Sequence, residues 1–394
     1  LILLLIIYIY GIQLTFLPLT AKQIIEVLGI IVYVFSRNKH NGTKEFSKML
    51  PFFVLIQIWG LIVCAFNGTH QYIYLSSFLI GPIAAFFGSF FIYYCSRNII
   101  ISSVDLAHFI LYAVFFESVL TLLMYFIPSL YDLISNIQVF AVDEDMENNV
   151  FIARSRFTGI GNAVYFGVLP SCTIGVMSGV YSLFFAENKK EMYKLLTILF
   201  VIISISFLVA RYSLIVSAFS LALYAVVIFK NNKKSLIGII AVALIALFIT
   251  IQLALTYLPE PILLWAMGAF DSSSEYSSNS IITELFDVDI ELKTLILGDG
   301  LYTATTGGYY KSFDQGVLRQ LFYGGVVGLL LNIGVHYKVL RESYYQIRTP
   351  QFKHYINGLM ICFLLAMLKG DLVMIDLFIL LLVFTSGFNK NVAK

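Results

Sequence analysis

The chain has 394 residues, of which 59% are hydrophobic and 12% charged, with a mean hydropathy of +0.88. Soluble domains average about 45–50% apolar and about 25% charged residues. This composition cannot cover a water-facing surface, which excludes soluble enzymes and nucleic-acid-binding domains and leaves no nucleic acid among the expected partners. The formal charge of +2, from 25 basic and 23 acidic residues, is informative only through its placement. Cys64, Cys95, Cys172 and Cys362 each lie in an apolar run without a near partner, a pattern of neither a disulfide framework nor a metal site.

A helix needs about 20 apolar residues to cross about 30 Å of hydrocarbon. In chain order the sequence predicts twelve such spans, at about 1–17, 20–36, 50–66, 72–95, 107–127, 162–186, 194–209, 212–229, 235–257, 316–337, 354–368 and 371–387. The first has no small-residue cleavage site and is followed by further spans, so it reads as a retained helix rather than a signal peptide. Residues 98–106 are expected as an interfacial helix or as the start of the fifth span. Uninterrupted apolar runs without period-2 alternation exclude a membrane barrel, and backbone groups in lipid must then be satisfied within helices. The expected fold is all-α: one polytopic helical bundle over residues 1–394, embedded in the lipid bilayer.

Basic residues set the orientation. Alternate loops hold Arg37, Lys39, Lys44 and Lys48; Arg97; Lys189, Lys190 and Lys194; Lys230, Lys233 and Lys234; Lys338, Arg341, Arg348 and Lys353; and the tail residues Lys390 and Lys394. These are 17 of the 25 basic residues, accompanied by only Glu45, Glu187, Glu191 and Glu342. The expected topology therefore has both termini and these loops in the cytoplasm. Two long loops fall on the outer side, at about 128–161 and 258–315. The first contains the acidic run Asp143-Glu144-Asp145-Met146-Glu147. The second contains a Ser-rich piece (272–280), a segment (281–297) apolar enough for a short helix on the membrane, and Gly298-Asp299-Gly300.

Several outer-side charges stand out. Arg154 and Arg156 precede the sixth span, with pairing to the upstream acidic run as their plainer explanation. Arg211, followed by Tyr212, sits in the tight turn between spans seven and eight, where it either caps a helix end or faces a ligand. Arg319 lies about one turn inside span ten, four residues after Gln315 on the same helix face. A charge at that depth requires a partner, Asp314 or Asp371, or a wet cavity. Lys311 and Lys369 add further cations. Arginine's planar fork matches phosphate oxygens and stays charged at any ordinary pH. Converging arginines at the outer surface suit a lipid-linked pyrophosphate, with Asp314 or Asp299 as a carboxylate able to take a proton from a sugar hydroxyl. The scattered acids Glu26, Asp105, Glu117 and Asp376 point instead to an ion-coupled transporter, or to local hydrogen bonds and helix ends.

About twelve spans, a long late outer loop and a Gly-rich helix after it resemble the O-antigen polymerase (Wzy-type) and O-antigen ligase superfamily. The ligase pattern H-[NSQ]-x9-G-x-x-G is matched in spacing by Asp314-Gln315, nine residues, then Gly325-Val-Val-Gly328, with Asp in place of His. Arg211-Tyr-Ser-Leu-Ile215 resembles the ligase R-x3-L, and Arg156 with Gly167 fits the polymerase R-x10-G once. The resemblance implies an integral membrane glycosyltransferase of the bacterial inner membrane that needs no metal or cofactor. It would polymerise undecaprenyl-pyrophosphate-linked repeat units, donor and acceptor both being lipid-linked glycans, and it leaves room for a chain-length regulator as partner. On this resemblance Asp314, Arg211 and Arg319 are the catalytic residues, and Arg156, Arg154, Lys311, Tyr212, Asp299 and Gln315 contact substrate. Gly167, Gly325 and Gly328 are structural; close helix packing alone would also account for the last two. Asp in place of His favours polymerase over ligase. A lipid-linked oligosaccharide flippase is the reading from another functional class.

Overall fold

The computed structural model describes residues 1–36, 42–139, 160, 168–209, 212–229, 252, 256, 288–304, 308–313, 315–370 and 374–392. Among these, secondary structure is helical, and β pairing is confined to three isolated bridges. Five helices are long and apolar enough to cross a membrane: Gly42–Asn67, Ile73–Ser96, Ser103–Phe126, Lys189–Val209 and Gly316–Ile347. Their outward faces suit lipid. On Gly42–Asn67 the exposed residues include Val54, Leu55, Ile58, Leu61 and Ile62, an apolar stripe that water-soluble proteins rarely display. The expected ninth span, 235–257, lies outside the described residues apart from positions 252 and 256.

Contacts divide the chain into two compact units. The first comprises residues 21–106 and 284–394, with Leu1. Its helices are α2 (Ala21–Phe35), α3 (Gly42–Asn67), α4 (Ile73–Ser96), α10 (Leu292–Leu297), α11 (Gly316–Ile347), α12 (Pro350–Met367) and α13 (Ile375–Val392). The second comprises residues 2–20 and 107–283. It contains α1 (Ile2–Tyr10), α5 (Ser103–Phe126, which starts in the first unit), α6 (Pro128–Ile137), α7 (Val168–Leu183), α8 (Lys189–Val209) and α9 (Ser213–Phe229).

Local chemistry explains where these helices start and stop, and where they depart from expectation. The first helix ends at Tyr10, not near residue 17, because Gly11 adopts φ +59° and its N–H closes on the Ile7 carbonyl. Residues 13–20 turn back instead, with bridges Gln13–Thr20 and Leu14–Gln138. Ser102 and Asp105 cap one another at the start of α5, so Asp105 is a helix-start residue and 103–106 belong to the fifth span. At α8, which begins five residues before the expected 194, Asn188 Oδ1 accepts from the Glu191 N–H and the Glu191 carboxylate accepts from the Glu187 N–H. Pro128 opens a helix inside the first expected outer loop. Of the segment 281–297, the described helix is Leu292–Leu297. None of the four cysteines is in a disulfide.

In the second unit, Gly175 and Gly179 let α7 approach Val114 and Leu111 of α5 and Leu199 of α8, small-residue packing suited to lipid. Leu111, Val114, Val176, Val180, Leu199 and Ile202 form the buried core there. Glu117 is buried and accepts from Thr121 Oγ1 at 2.8 Å, a local hydrogen bond.

The first unit is organised around α11, which packs against α3, α10, α12 and α13. This helix extends ten residues past the expected end of span ten and is broken at Gly325 (φ +65°, ψ −171°). A Cβ there would stand 2.2 Å from the Ile296 carbonyl oxygen. Gly328 has the packing role expected of it, with the Tyr74 hydroxyl 2.7 Å from its would-be Cβ. We expect Gly325→Ala to destabilise the folded protein by about 2–4 kcal/mol through backbone strain and clash. Gly334→Ala, on the same helix with nothing within 4 Å, should stay within about 1 kcal/mol of wild type. Thermal unfolding of both variants in detergent checks this, and equal midpoints would refute the role given to the break.

Candidate anion-binding site

The segment Gly298-Asp299-Gly300 docks on the broken part of α11. Gly298 (φ +77°) ends α10, and a Cβ on it would meet the Tyr323 carbonyl oxygen at 2.4 Å. The Asp299 N–H donates to the Phe322 carbonyl at 2.6 Å and the Gly300 N–H to the Tyr323 carbonyl at 3.1 Å. Trp59 Nε1 donates to the Gly324 carbonyl at 2.7 Å. Three successive carbonyls beside the break thus receive donors from outside their helix.

The Asp299 carboxylate is held on both oxygens. Oδ1 accepts from Thr294 Oγ1 at 2.6 Å, while Oδ2 accepts from the Tyr310 hydroxyl at 3.2 Å and faces Lys311 Nζ at 3.6 Å. Burial, then the neighbouring Asp299 charge, push the Tyr310 phenol above its ordinary range. Lys311 itself has φ +54°, and its ammonium lies 4.4 Å above the Phe322 ring.

Beyond Gly300 the chain forms a small hairpin, with Thr303 bridged to Tyr309 and the Ala304 N–H donating to the Gly308 carbonyl. Gln71, in the loop between α3 and α4, clamps it. Gln71 Oε1 accepts from the Tyr302 and Thr303 N–H groups at 2.6 and 2.9 Å, and Nε2 donates to the Thr303 carbonyl at 2.8 Å. Asn67 Nδ2 donates to the Gly298 carbonyl at 3.1 Å.

This hairpin shapes the setting of Arg319. Its guanidinium carbon lies 3.9 Å from the Tyr302 ring centroid and 4.0 Å from that of Tyr309. The residue is 9% exposed, and its Nε makes no hydrogen bond to any described residue. Two aryl faces hold the cation at about 0.5–2 kcal/mol each while occupying only the faces of the guanidinium. Its donors point outward in the plane, the geometry that accepts two oxygens of a phosphate or carboxylate.

Of the residues predicted for the site, the structure brings together Arg319, Lys311, Asp299 and Gln315 on α11 or the segment docked on it. Gln315 is buried at the start of α11, and its carbonyl accepts from the Arg319 N–H. Tyr212 lies in the second unit, at the turn opening α9. Asp314, Arg211, Arg154, Arg156, Gly167 and Asp371 lie outside the described residues. Gln71, Tyr302 and Tyr309 are the additions that sequence reasoning missed. The clustered tyrosines of 302–310 were the available signal, but nothing in the sequence paired them with an arginine across the loop.

No protein family, curated protein or solved structure matches this chain.

Removing the clamp should free the hairpin without unfolding the bundle. We expect Gln71→Ala to speed limited proteolysis within residues 302–310 by about tenfold or more, because three hydrogen bonds at about 1 kcal/mol each are lost. Unchanged cleavage would show that the hairpin is held by other contacts.

Proposed function

We propose that this chain is an integral membrane glycosyltransferase that polymerises undecaprenyl-pyrophosphate-linked repeat units at the outer face of the bacterial inner membrane. The observation that carries this reading is Arg319: an oriented, nearly buried cation whose Nε bonds to no described residue, set between two tyrosines at one end of a membrane-spanning helix. Such a group costs stability unless an anion completes it.

The proposed orientation is supported by how the loops gather in the first unit. Lys48 and Lys338 both pair with Glu342, near the C-terminal end of α11. The loop 67–72 and the segment 298–311 meet at its N-terminal half. Basic loops and candidate site therefore lie at opposite ends of α11, consistent with cytoplasmic termini and a periplasmic site.

In the proposed reaction the acceptor hydroxyl oxygen attacks the anomeric carbon of the donor glycan. The bond from that carbon to the pyrophosphate oxygen breaks, the pyrophosphate keeps the electron pair, and the hydroxyl proton passes to a base. Arg319, with Arg211 and Arg156 as its expected companions, would hold the charge that grows on the leaving group. Asp314 is the proposed base. Asp299 is the weaker choice, since both its oxygens already accept donors. The ligase reaction, transfer of finished glycan to lipid A–core, uses the same donor chemistry. A flippase is the second reading, favoured by one observation: Glu26 and Asp376 meet across Lys22 between the apolar helices α2 and α13.

Purified protein given lipid-linked repeat units in liposomes without metal should produce a ladder spaced by one repeat. Arg319→Lys, which keeps the charge but not the fork, should lose about 10²-fold in rate at unchanged membrane level. Wild-type ladders from Arg319→Lys and Arg319→Ala would refute the site. Transfer only to added lipid A–core would make the chain a ligase, and substrate that merely changes leaflet a transporter.

A further inference from the structure

Lys22 and Glu26 stand one turn apart on α2, and Asp376 reaches them from the first turn of α13. Lys22 Nζ donates to Asp376 Oδ2 and lies 4.0 Å from Glu26 Oε1. Two anchors give the depth of this cluster. Tyr33, eleven residues further along α2, shares a hydrogen bond with Thr43 Oγ1, beside the basic loop residue Lys44. Gly387, eleven residues further along α13, packs on Tyr93, one turn before Arg97. At a rise of 1.5 Å per residue, Lys22 and Asp376 are each about 16 Å from their anchor, and Glu26, seven residues from Tyr33, about 10 Å. These distances are about a third to a half of a 30 Å hydrocarbon layer.

Among the described residues the charges there do not balance. Two carboxylates face one ammonium, a net charge of −1 when all three are ionised. Only Lys22, on the same helix, and Asp376, on α13, act electrostatically on Glu26 among the described residues. The helix α4, which packs along α2, has no Asp, Glu, Lys, Arg or His, and its titratable groups are Tyr74, Tyr93, Tyr94 and Cys95. Lys390, the other charged residue of α13, lies toward its far end, as do Lys44 and Glu45 on the start of α3. An uncompensated charge at mid-depth costs several kcal/mol.

We propose that Lys22, Glu26 and Asp376 form a proton-binding site in the middle of the membrane layer, with Glu26 holding the proton. Glu26 is the better holder because it is farther from the ammonium and less exposed, 11% against 26% for Asp376. A metal cation fits poorly. Hard divalent cations take six or more oxygen ligands, whereas this cluster offers two carboxylates and an ammonium that repels the ion. The site also links two helices. This inference is independent of the glycosyltransferase reading.

Infrared difference spectroscopy of the full chain in liposomes tests it without reference to activity. At neutral pH the wild type should show the C=O band of a protonated carboxyl, shifted in D2O and bleached reversibly at alkaline pH. The band should vanish in Glu26→Gln and persist in Glu117→Gln, which removes another buried carboxyl. Lys22→Met leaves two carboxylates with no cation and should increase the band area roughly two-fold. Absence of the band in wild type, its full retention in Glu26→Gln, or no change in Lys22→Met would each overturn the proposal. Bleaching by sodium at fixed pH would overturn it in favour of a metal cation.

Discussion

Backbone carbonyls inside a membrane have no water to turn to, and the break in α11 at Gly325 exposes several of them at once. Everything around the candidate site follows from satisfying these groups. The N–H groups of Asp299 and Gly300 and the indole of Trp59 take up the carbonyls of Phe322, Tyr323 and Gly324. Only glycines at 298 and 325 let the two backbones approach so closely, because a Cβ at either would overlap a carbonyl oxygen. Once the segment 298–300 is docked, the following hairpin has to pass over the first turns of α11. That passage puts Tyr302 and Tyr309 on either side of Arg319. The arginine is therefore oriented by a backbone requirement some distance along the chain from it.

The same economy governs the charges of the first unit. Glu342 is buried at the basic end of α11 and meets two lysines, Lys48 and Lys338. Asp299 meets one lysine and two hydroxyls. Each carboxylate in these groups has at least one cation of its own, which offsets the desolvation that burial imposes. Lys22 is the exception, since it serves two carboxylates, Glu26 and Asp376. A polar pair on α11 adds to the interior chemistry. His336 Nδ1 shares a hydrogen bond with the Asn332 carbonyl, and its ring lies against Phe363 and Phe378.

Much of the helical layout was legible because it depends on local properties. Apolar runs marked α2, α4, α5 and α9 to within a few residues. The departures come from short-range chemistry that hydropathy does not register. Gly11 stops the first helix early, and the paired caps at Ser102–Asp105 and the Asn188 side chain set the starts of α5 and α8. The Gly325-x-x-Gly328 spacing indicated close approach, and at Gly328 that is what occurs. At Gly325 the same residue type breaks the helix instead, because the facing surface is the backbone of α10 rather than a side chain.

The amino-acid sequence by itself determined that this chain is built of helices suited to a membrane, since 12% charged residues cannot dress a soluble surface and its apolar runs lack period-2 alternation. It also isolated Arg319, Lys311 and Asp299 as charges needing an explanation. Only the tertiary structure decided which groups share a site. Gln71 and Thr303, Arg319 and Tyr302, and Lys22 and Asp376 are distant along the chain and meet through the packing of separate helices. Hydropathy and spacing describe each segment against its own neighbours, whereas contacts between distant segments depend on how whole helices cross and where one of them breaks.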